Sequence, residues 1–267
     1  MNFNLRRRLW LTVFLLAPAP ARASGGVLDL YPVRYFRRVG SDIAALPAAV
    51  RGWGPRDRTI ALAVGAATLA AYSVDDDVVA GLSKHRHDFL SDTSHTFTHF
   101  GDFHFEVPIV AGSWALGAAT GSRPLRKIGE DGAEASLIAA AIINPAITFL
   151  TGRDLPTAGK SATKFRPFTR GRFSFPSGHT TEAFAMAAVI DLNLRESLGY
   201  WQTPVVYGAA AAVGISRVND RRHYLSDVVL GAGIGWSVGT WVARRRRDDS
   251  SLTLLPVPGG VRLALRF

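Results

Sequence analysis

Cysteine is absent from all 267 residues. Disulfides, thiol nucleophiles and cysteine–zinc sites are therefore excluded, while the redox compartment stays open. Long apolar runs are scarce too. Most uncharged stretches beyond the first residues are about 15–17 residues, short of the roughly 20 that a comfortable membrane span needs. There is no internal repeat, no low-complexity tract and, until the last residues, no period-two alternation to suggest strands. Acidic charge is in deficit, with 21 Asp and Glu against 31 Lys and Arg and a net charge of +10. Such a balance suits an anionic partner, either phosphate groups or an acidic lipid surface. A nucleic-acid partner is not expected, because no basic helix is interleaved with exposed aromatics. With 48% hydrophobic and 19% charged residues, the chain is too apolar to be disordered. It lies between an ordinary soluble protein and a polytopic membrane protein.

The start reads as an export signal: a basic Arg6-Arg7-Arg8, a short apolar run from Leu9 to Leu16, and a small-x-small site at Ala21-Arg22-Ala23. Residues 1–23 are expected to be removed, leaving Ser24 at the mature start. Residues 24–57 form a lead-in segment broken by Pro32, Pro47 and Pro55, with a short apolar turn around 43–50. A helical domain follows over 58–247. It holds six apolar, Ala- and Gly-rich segments near 59–74, 104–120, 134–151, 179–194, 203–216 and 224–243. Each is of helix length, and their small residues permit close helix packing. After the arginine run 244–247, the tail 248–267 contains two short alternating runs punctuated by Pro256, Pro258 and Gly259-Gly260, the pattern of a β-hairpin. The expected fold is all-α, a bundle of about six core helices with a small C-terminal β-hairpin.

Six spans after a cleaved signal would put the ends of segments one, three and five, and the motifs near them, in the cytoplasm. The basic loops 123–127 and 244–247 lie at the opposite ends, and the positive-inside tendency would make those cytoplasmic instead. A periplasmic bundle, soluble or attached at the membrane surface, removes the conflict. An uncleaved N-terminus in an integral inner-membrane protein removes it as well.

Two motifs carry the chemistry. The first is Pro176-Ser177-Gly178-His179, at the start of an apolar helix. The second is Ser216-Arg217, then His223 after five residues, then Asp227 four residues on. Asp227 lies one helical turn from His223, where its carboxylate can accept from one imidazole nitrogen, fix the tautomer and leave the other nitrogen to attack. Arg217 offers a planar, permanently charged fork for two phosphate oxygens. The Ser177-Gly178 turn enters a helix N-terminus, where free N–H groups favour an anion. Gly178 lets the backbone approach, Ser177 can add a hydroxyl donor, and His179 can give a proton to a departing oxygen.

These residues resemble the type 2 phosphatidate phosphatase superfamily, which also holds bacterial non-specific acid phosphatases and vanadium haloperoxidases. The resemblance implies a helical bundle, no metal or other cofactor, and a phosphohistidine intermediate in the hydrolysis of a phosphomonoester or a lipid phosphate or diphosphate. Vanadate would bind as a phosphate mimic. Carried over by position, His223 is the nucleophile, Asp227 its orienter and His179 the acid, with Arg217, Ser177 and Gly178 as phosphate contacts. One motif departs. Where the family has a lysine, six intervening residues and then Arg-Pro, this chain has Thr148 and then Leu155-Pro156. Two cationic phosphate ligands are therefore missing from their expected places, and Arg153, Lys164 and Arg166, with Lys160 a weaker candidate, are the substitutes nearest in sequence. Their absence motivates a rival reading as an inactive lipid-phosphate binder or scaffold. Vanadium-dependent halide oxidation is disfavoured by the same two losses and by the short chain.

Two further clusters take bland readings. His85, His87, His95, His99 and His104 crowd one region, but no Glu follows His95 in the zinc-hydrolase pattern. A polar cover over the site mouth is expected there. Asp75-Asp76-Asp77 follows the first apolar segment and reads as a solvated turn, because acids at a helix C-terminus are unfavourable.

Overall fold

The computed structural model describes residues 31–84, 101, 103–159, 161–169, 171, 173–248, 252–257 and 260–265. The expected signal with Ser24, Lys160, and the histidines at 85, 87, 95 and 99 lie outside the described residues. The chain divides into two compact units, residues 1–45 and 46–267. Helix α1 (Tyr31–Arg51) occupies the segment read as a lead-in with an apolar turn.

The second unit carries the bundle. Its helices are α2 (Pro55–Tyr72), α3 (Asp75–Lys84), α4 (Phe103–Thr120), α5 (Arg123–Thr151), α6 (Gly178–Leu198), α7 (Gln202–Asn219) and α8 (Leu225–Asp248). Strands β1 (Leu252–Val257) and β2 (Gly260–Leu265) pair antiparallel, with Leu252 opposite Leu265 and Val257 opposite Gly260. The fold is all-α with an appended hairpin, and six of the helices coincide with the six apolar segments. The fifth helix is longer than its apolar segment, because the polar stretch from Arg123 to Ser136 joins it in one helix of 29 residues.

Helix α6 is the centre. It packs against α5, α7 and most extensively α8, which also touches α2 and α5; α4 runs along α5. Small side chains make this possible. Ala183, Ala185, Ala187, Ala188 and Val189 are buried on several sides of α6, the pattern of an inner helix. On α8, Gly231, Gly235 and Gly239 recur every four residues and face the α6 backbone. A Cβ on Gly235 would stand 2.1 Å from the Thr181 carbonyl, and one on Gly231 would stand 2.7 Å from that of Ser177. The helices therefore approach backbone to backbone, and the Ser177 N–H donates directly to the Asp227 carbonyl at 3.0 Å. This single contact clamps the two sequence motifs together.

Local chemistry sets the helix ends. Pro55 opens α2, where its missing N–H costs nothing. Only Ser73 and Val74 separate α2 from α3, so Asp75, Asp76 and Asp77 form the first turn of a new helix. This corrects the reading of a solvated turn: the acids face a favourable helix N-terminus, and Asp75 is fully buried. Within α5, residues Leu137–Ile143 are wound as a π-helix just before Pro145. Proline cannot donate to the preceding turn, and a widened turn accommodates it without ending the helix. Helix α5 stops at Gly152, left-handed at φ 56°. The α6–α7 corner is tied through buried Asp191, whose carboxylate accepts from Gln202 Nε2 at 3.0 Å and from Thr203 Oγ1 at 2.5 Å.

This packing puts the ends of α2, α5 and α7 beside the starts of α6 and α8. Gly101, just before α4, belongs there too, since a Cβ on it would meet the His179 carbonyl at 2.7 Å. Large apolar side chains face outward. Leu62 and Leu69 of α2 are 74% and 71% exposed, and Leu116, Leu137, Val205 and Ile215 are also exposed. Of the described helices, Arg123–Thr151 is long and apolar enough to cross a membrane by length and composition.

Candidate active site

At this end of the bundle opens a cavity of about 700 Å³. His179, Gly178, Arg217 and His223 line it together, so residues more than forty apart in sequence share one wall. Thr148 and Leu155 line it as well. The two positions that lack the expected cations thus still face the site.

His223 is held by its ring Nδ1, which lies 2.6 Å from the Ser174 carbonyl. That carbonyl can only accept, so Nδ1 carries a proton, and in the neutral ring the lone pair is left on Nε2. The expected partner, Asp227, is 3.8 Å from Nδ1, beyond hydrogen-bonding reach. The correction has a simple cause: the Nδ1 proton is directed at the Ser174 carbonyl, and the Asp227 carboxylate has other partners. Its Oδ2 accepts from the Tyr224 N–H at 2.7 Å, closing the first turn of α8, and its Oδ1 accepts from Arg153 at 2.6 Å. Asp227 acts at one remove, as a buried negative charge near His223 and an anchor for the segment that carries it.

Arg153 is the hub behind the wall. It is completely buried. One terminal nitrogen binds Asp227 and Ser226 Oγ, the other binds Asp75 at 2.7 Å, and Nε binds the Ala162 carbonyl at 2.8 Å. Its guanidinium also lies 4.0 Å over the Tyr224 ring. Asp75 in turn accepts from the Ser226 N–H and hydroxyl. Burial pushes the Tyr224 phenol up to about 12, although the guanidinium pulls the other way. The phenol therefore stays neutral at physiological pH.

The backbone around Arg153 holds Ser174. The Ser174 N–H donates to the Arg153 carbonyl at 2.8 Å, and the Ser174 hydroxyl donates to the Asp154 carbonyl at 3.1 Å. On the other side, Asp154 N–H reaches Lys164 and Arg166 N–H reaches Gly152. Gly152 is required here, because a Cβ would stand 1.9 Å from the Arg166 carbonyl.

Several expected phosphate contacts sit elsewhere. Arg153 is enclosed by its carboxylates and does not reach the cavity. The side chain of Arg166 pairs with Asp154 and lies over the Phe173 ring at 5.4 Å. Lys164 is exposed and is not part of the wall. Ser177 is fully buried, and its hydroxyl oxygen caps α6 by accepting from the Thr180 N–H and hydroxyl. The helix end it caps still presents first-turn N–H groups toward the cavity at Gly178. Among the described residues no group of three or more His, Asp or Glu is placed to hold a metal ion.

Asp75, Ser174 and Ser226, together with Arg222 on the cavity wall, were not anticipated from the sequence. Asp75 had a usable signal, three acids opening a helix. The Ser174 role has none, because it rests on a backbone carbonyl brought close by the 152–176 loop.

The fold defines the class first: a helical bundle of the kind seen in two solved structures. The transmembrane PAP2 type phosphatidylglycerolphosphate phosphatase from Bacillus subtilis superposes with a TM-score of 0.53 at 20% identity, over 70% of this chain and 95% of that one. Aquifex aeolicus LpxE gives 0.50 at 19%, over 64% of this chain and 95% of that one. Residues 134–250 match the PAP2 superfamily model. A lipid A 1-phosphatase of Porphyromonas gingivalis is 31% identical over 175 residues, 65% of this chain and 35% of that protein. Lipid phosphate phosphatase 1 of Arabidopsis thaliana is 36% identical over 85 residues, 28% of this chain and 26% of that protein. The chain thus spans about a third or less of these curated relatives.

The Arg153 network generates a test. Removing one partner of a buried ion pair typically costs about 3–5 kcal/mol, so Arg153→Ala should unfold the protein or lower its Tm sharply. Asp75→Asn is milder and lies off the cavity wall. It should lower kcat about tenfold with KM within about twofold, measured on any phosphate ester the protein turns over. A change confined to KM would contradict a positioning role.

Proposed function

We propose that the protein is a phosphatase acting on a lipid phosphate or diphosphate, through a covalent phosphohistidine and without a metal. The supporting observation is the single cavity that joins the free Nε2 side of His223, His179, Arg217 and the α6 N-terminus. In the first step His223 Nε2 attacks phosphorus in line, and the bond from phosphorus to the leaving oxygen breaks. His179, protonated, gives its proton to that oxygen. Arg217 and the α6 N–H groups hold the equatorial oxygens, where transition-state charge gathers. In the second step neutral His179 takes a proton from water. The hydroxide attacks phosphorus, the P–N bond breaks, and inorganic phosphate leaves.

The outward apolar residues on α2, α4, α5 and α7 support a bundle that sits within a membrane, which favours a lipid substrate. Exposed Tyr200 and Trp201, and the bases Arg123, Arg126, Lys127, Arg244 and Arg245, lie at the end away from the cavity. By the positive-inside tendency that end is cytoplasmic and the cavity opens on the outer face. Both helix directions and basic loops then agree, with the start of α2 on the cytoplasmic side.

Phosphate release should be measured from phosphatidic acid, an isoprenyl diphosphate and a soluble aryl phosphate, with chelator present. Lipid phosphates should be hydrolysed, and His223→Ala should lower the rate at least about a thousandfold. Equal activity in that variant, or a strict need for a divalent ion, would defeat the reading. Sidedness has its own test, because the chain lacks cysteine. On intact cells an impermeant thiol reagent should label Thr169→Cys and spare Trp201→Cys. The reverse pattern contradicts the orientation.

A further inference from the structure

The cavity wall has a charge problem. Of its residues only His179, His223, Arg217 and Arg222 can carry charge, and no described carboxylate lines it. Arg217 brings less positive charge than its side chain suggests. Its Nη2 lies 2.6 Å from the Asp220 carboxylate and its Nε donates to Ser216 Oγ at 3.3 Å. The pair is close to neutral, so Arg217 contributes directed N–H groups more than net charge. Thr148 and Leu155 add none. A phosphate monoester carries up to two negative charges, and a wall that does not match them would bind it poorly.

Arg222 supplies the charge. It is exposed at the cavity, and among the described residues no carboxylate pairs with it. Its placement is built into the backbone. Helix α7 ends in a reciprocal cap: Arg221 is left-handed at φ 53°, its N–H donates to the Val218 carbonyl at 2.9 Å, and the Arg222 N–H donates to the Arg217 carbonyl at 3.0 Å. The His223 N–H shares that carbonyl at 3.2 Å. One oxygen therefore ties together Arg217, Arg222 and the attacking histidine. A left-handed arginine is a strained choice where glycine is usual, and here it turns the chain so that residue 222 meets the cavity.

We infer that Arg222 is the second phosphate-binding cation of this site, standing in for the charge that Thr148 and Leu155 do not provide and favouring doubly charged monoesters over singly charged diesters. The inference rests on the phosphatase reading but is separable from it. Four variants decide it: Arg222→Ala, Arg222→Lys, the double variant Arg222→Ala with Thr148→Lys, and His223→Ala as the inactive reference. Each is checked for an unchanged Tm, then assayed for kcat/KM on a soluble aryl phosphate and for binding of orthovanadate by calorimetry. Arg222→Ala should lose about 30-fold in kcat/KM and at least about tenfold in vanadate affinity. Arg222→Lys should recover part of both. Thr148→Lys, placed across the same cavity, should restore at least about tenfold to the alanine variant. A purely structural role for Arg222 would not be repaired by a lysine on α5, a separate element of the cavity wall. Arg222→Ala within about threefold of wild type in both measurements overturns the inference. If the wild type hydrolyses no phosphate ester but binds vanadate through Arg222, the phosphatase reading fails and the inference stands. If it binds no vanadate, both fail.

Discussion

One buried cation organises the cavity end of this protein. Arg153 sits between the carboxylates of Asp75 and Asp227 with no exposed surface. Three charged groups buried together are stable only when every lone pair and proton is satisfied. The Ser226 N–H and hydroxyl, the Tyr224 N–H and the Ala162 carbonyl complete that set. Through Asp75 the network reaches α3, through Asp227 it reaches α8, and through its own backbone it holds Ser174 against His223. A residue that never faces the cavity thus fixes the tautomer and direction of the residue proposed to attack.

The small-residue packing serves the same geometry. Gly231 and Gly235 let α8 lie directly on the α6 backbone, so the helix start that carries His179 and the one that follows His223 meet edge to edge. Bulk is displaced outward, onto exposed Leu62, Leu69, Val205 and Ile215. That inverts the usual soluble arrangement and is the physical basis for placing the bundle in lipid. The proposed membrane placement would also remove the conflict between motif and basic-loop positions. Helix α2 runs toward the cavity end, so in the proposed membrane arrangement both ends of the bundle lie on the side of the arginine run.

The apolar helices α2, α4, α6, α7 and α8 were legible in the sequence, because each stands between polar or proline-marked breaks. Helix α3 was not, since only two residues separate it from α2 and its acids were assigned to the wrong helix end. That His179, Arg217 and His223 share one cavity could be read from spacing, because helix ends translate short spacing into shared location. Arg153 was misread as a phosphate ligand for a related reason: spacing reveals nearness to a site but not the carboxylates that enclose a side chain. The buried polar set of α4, α5 and α6, where Ser136 donates to Glu182 and Asn193 to Asp131, left no trace in a single sequence. Its partners are 46 and 62 residues apart.

The central claim is that His223 becomes phosphorylated on Nε2 while Ser174 holds its Nδ1. Rapid acid-free quenching during turnover of a labelled phosphate ester, followed by peptide mass spectrometry, tests it directly. The account predicts an acid-labile, base-stable phosphate on the peptide containing His223, attached at Nε2, and none in His223→Ala. Phosphate on another residue, or full turnover with no covalent phosphoenzyme at any time point, would contradict it.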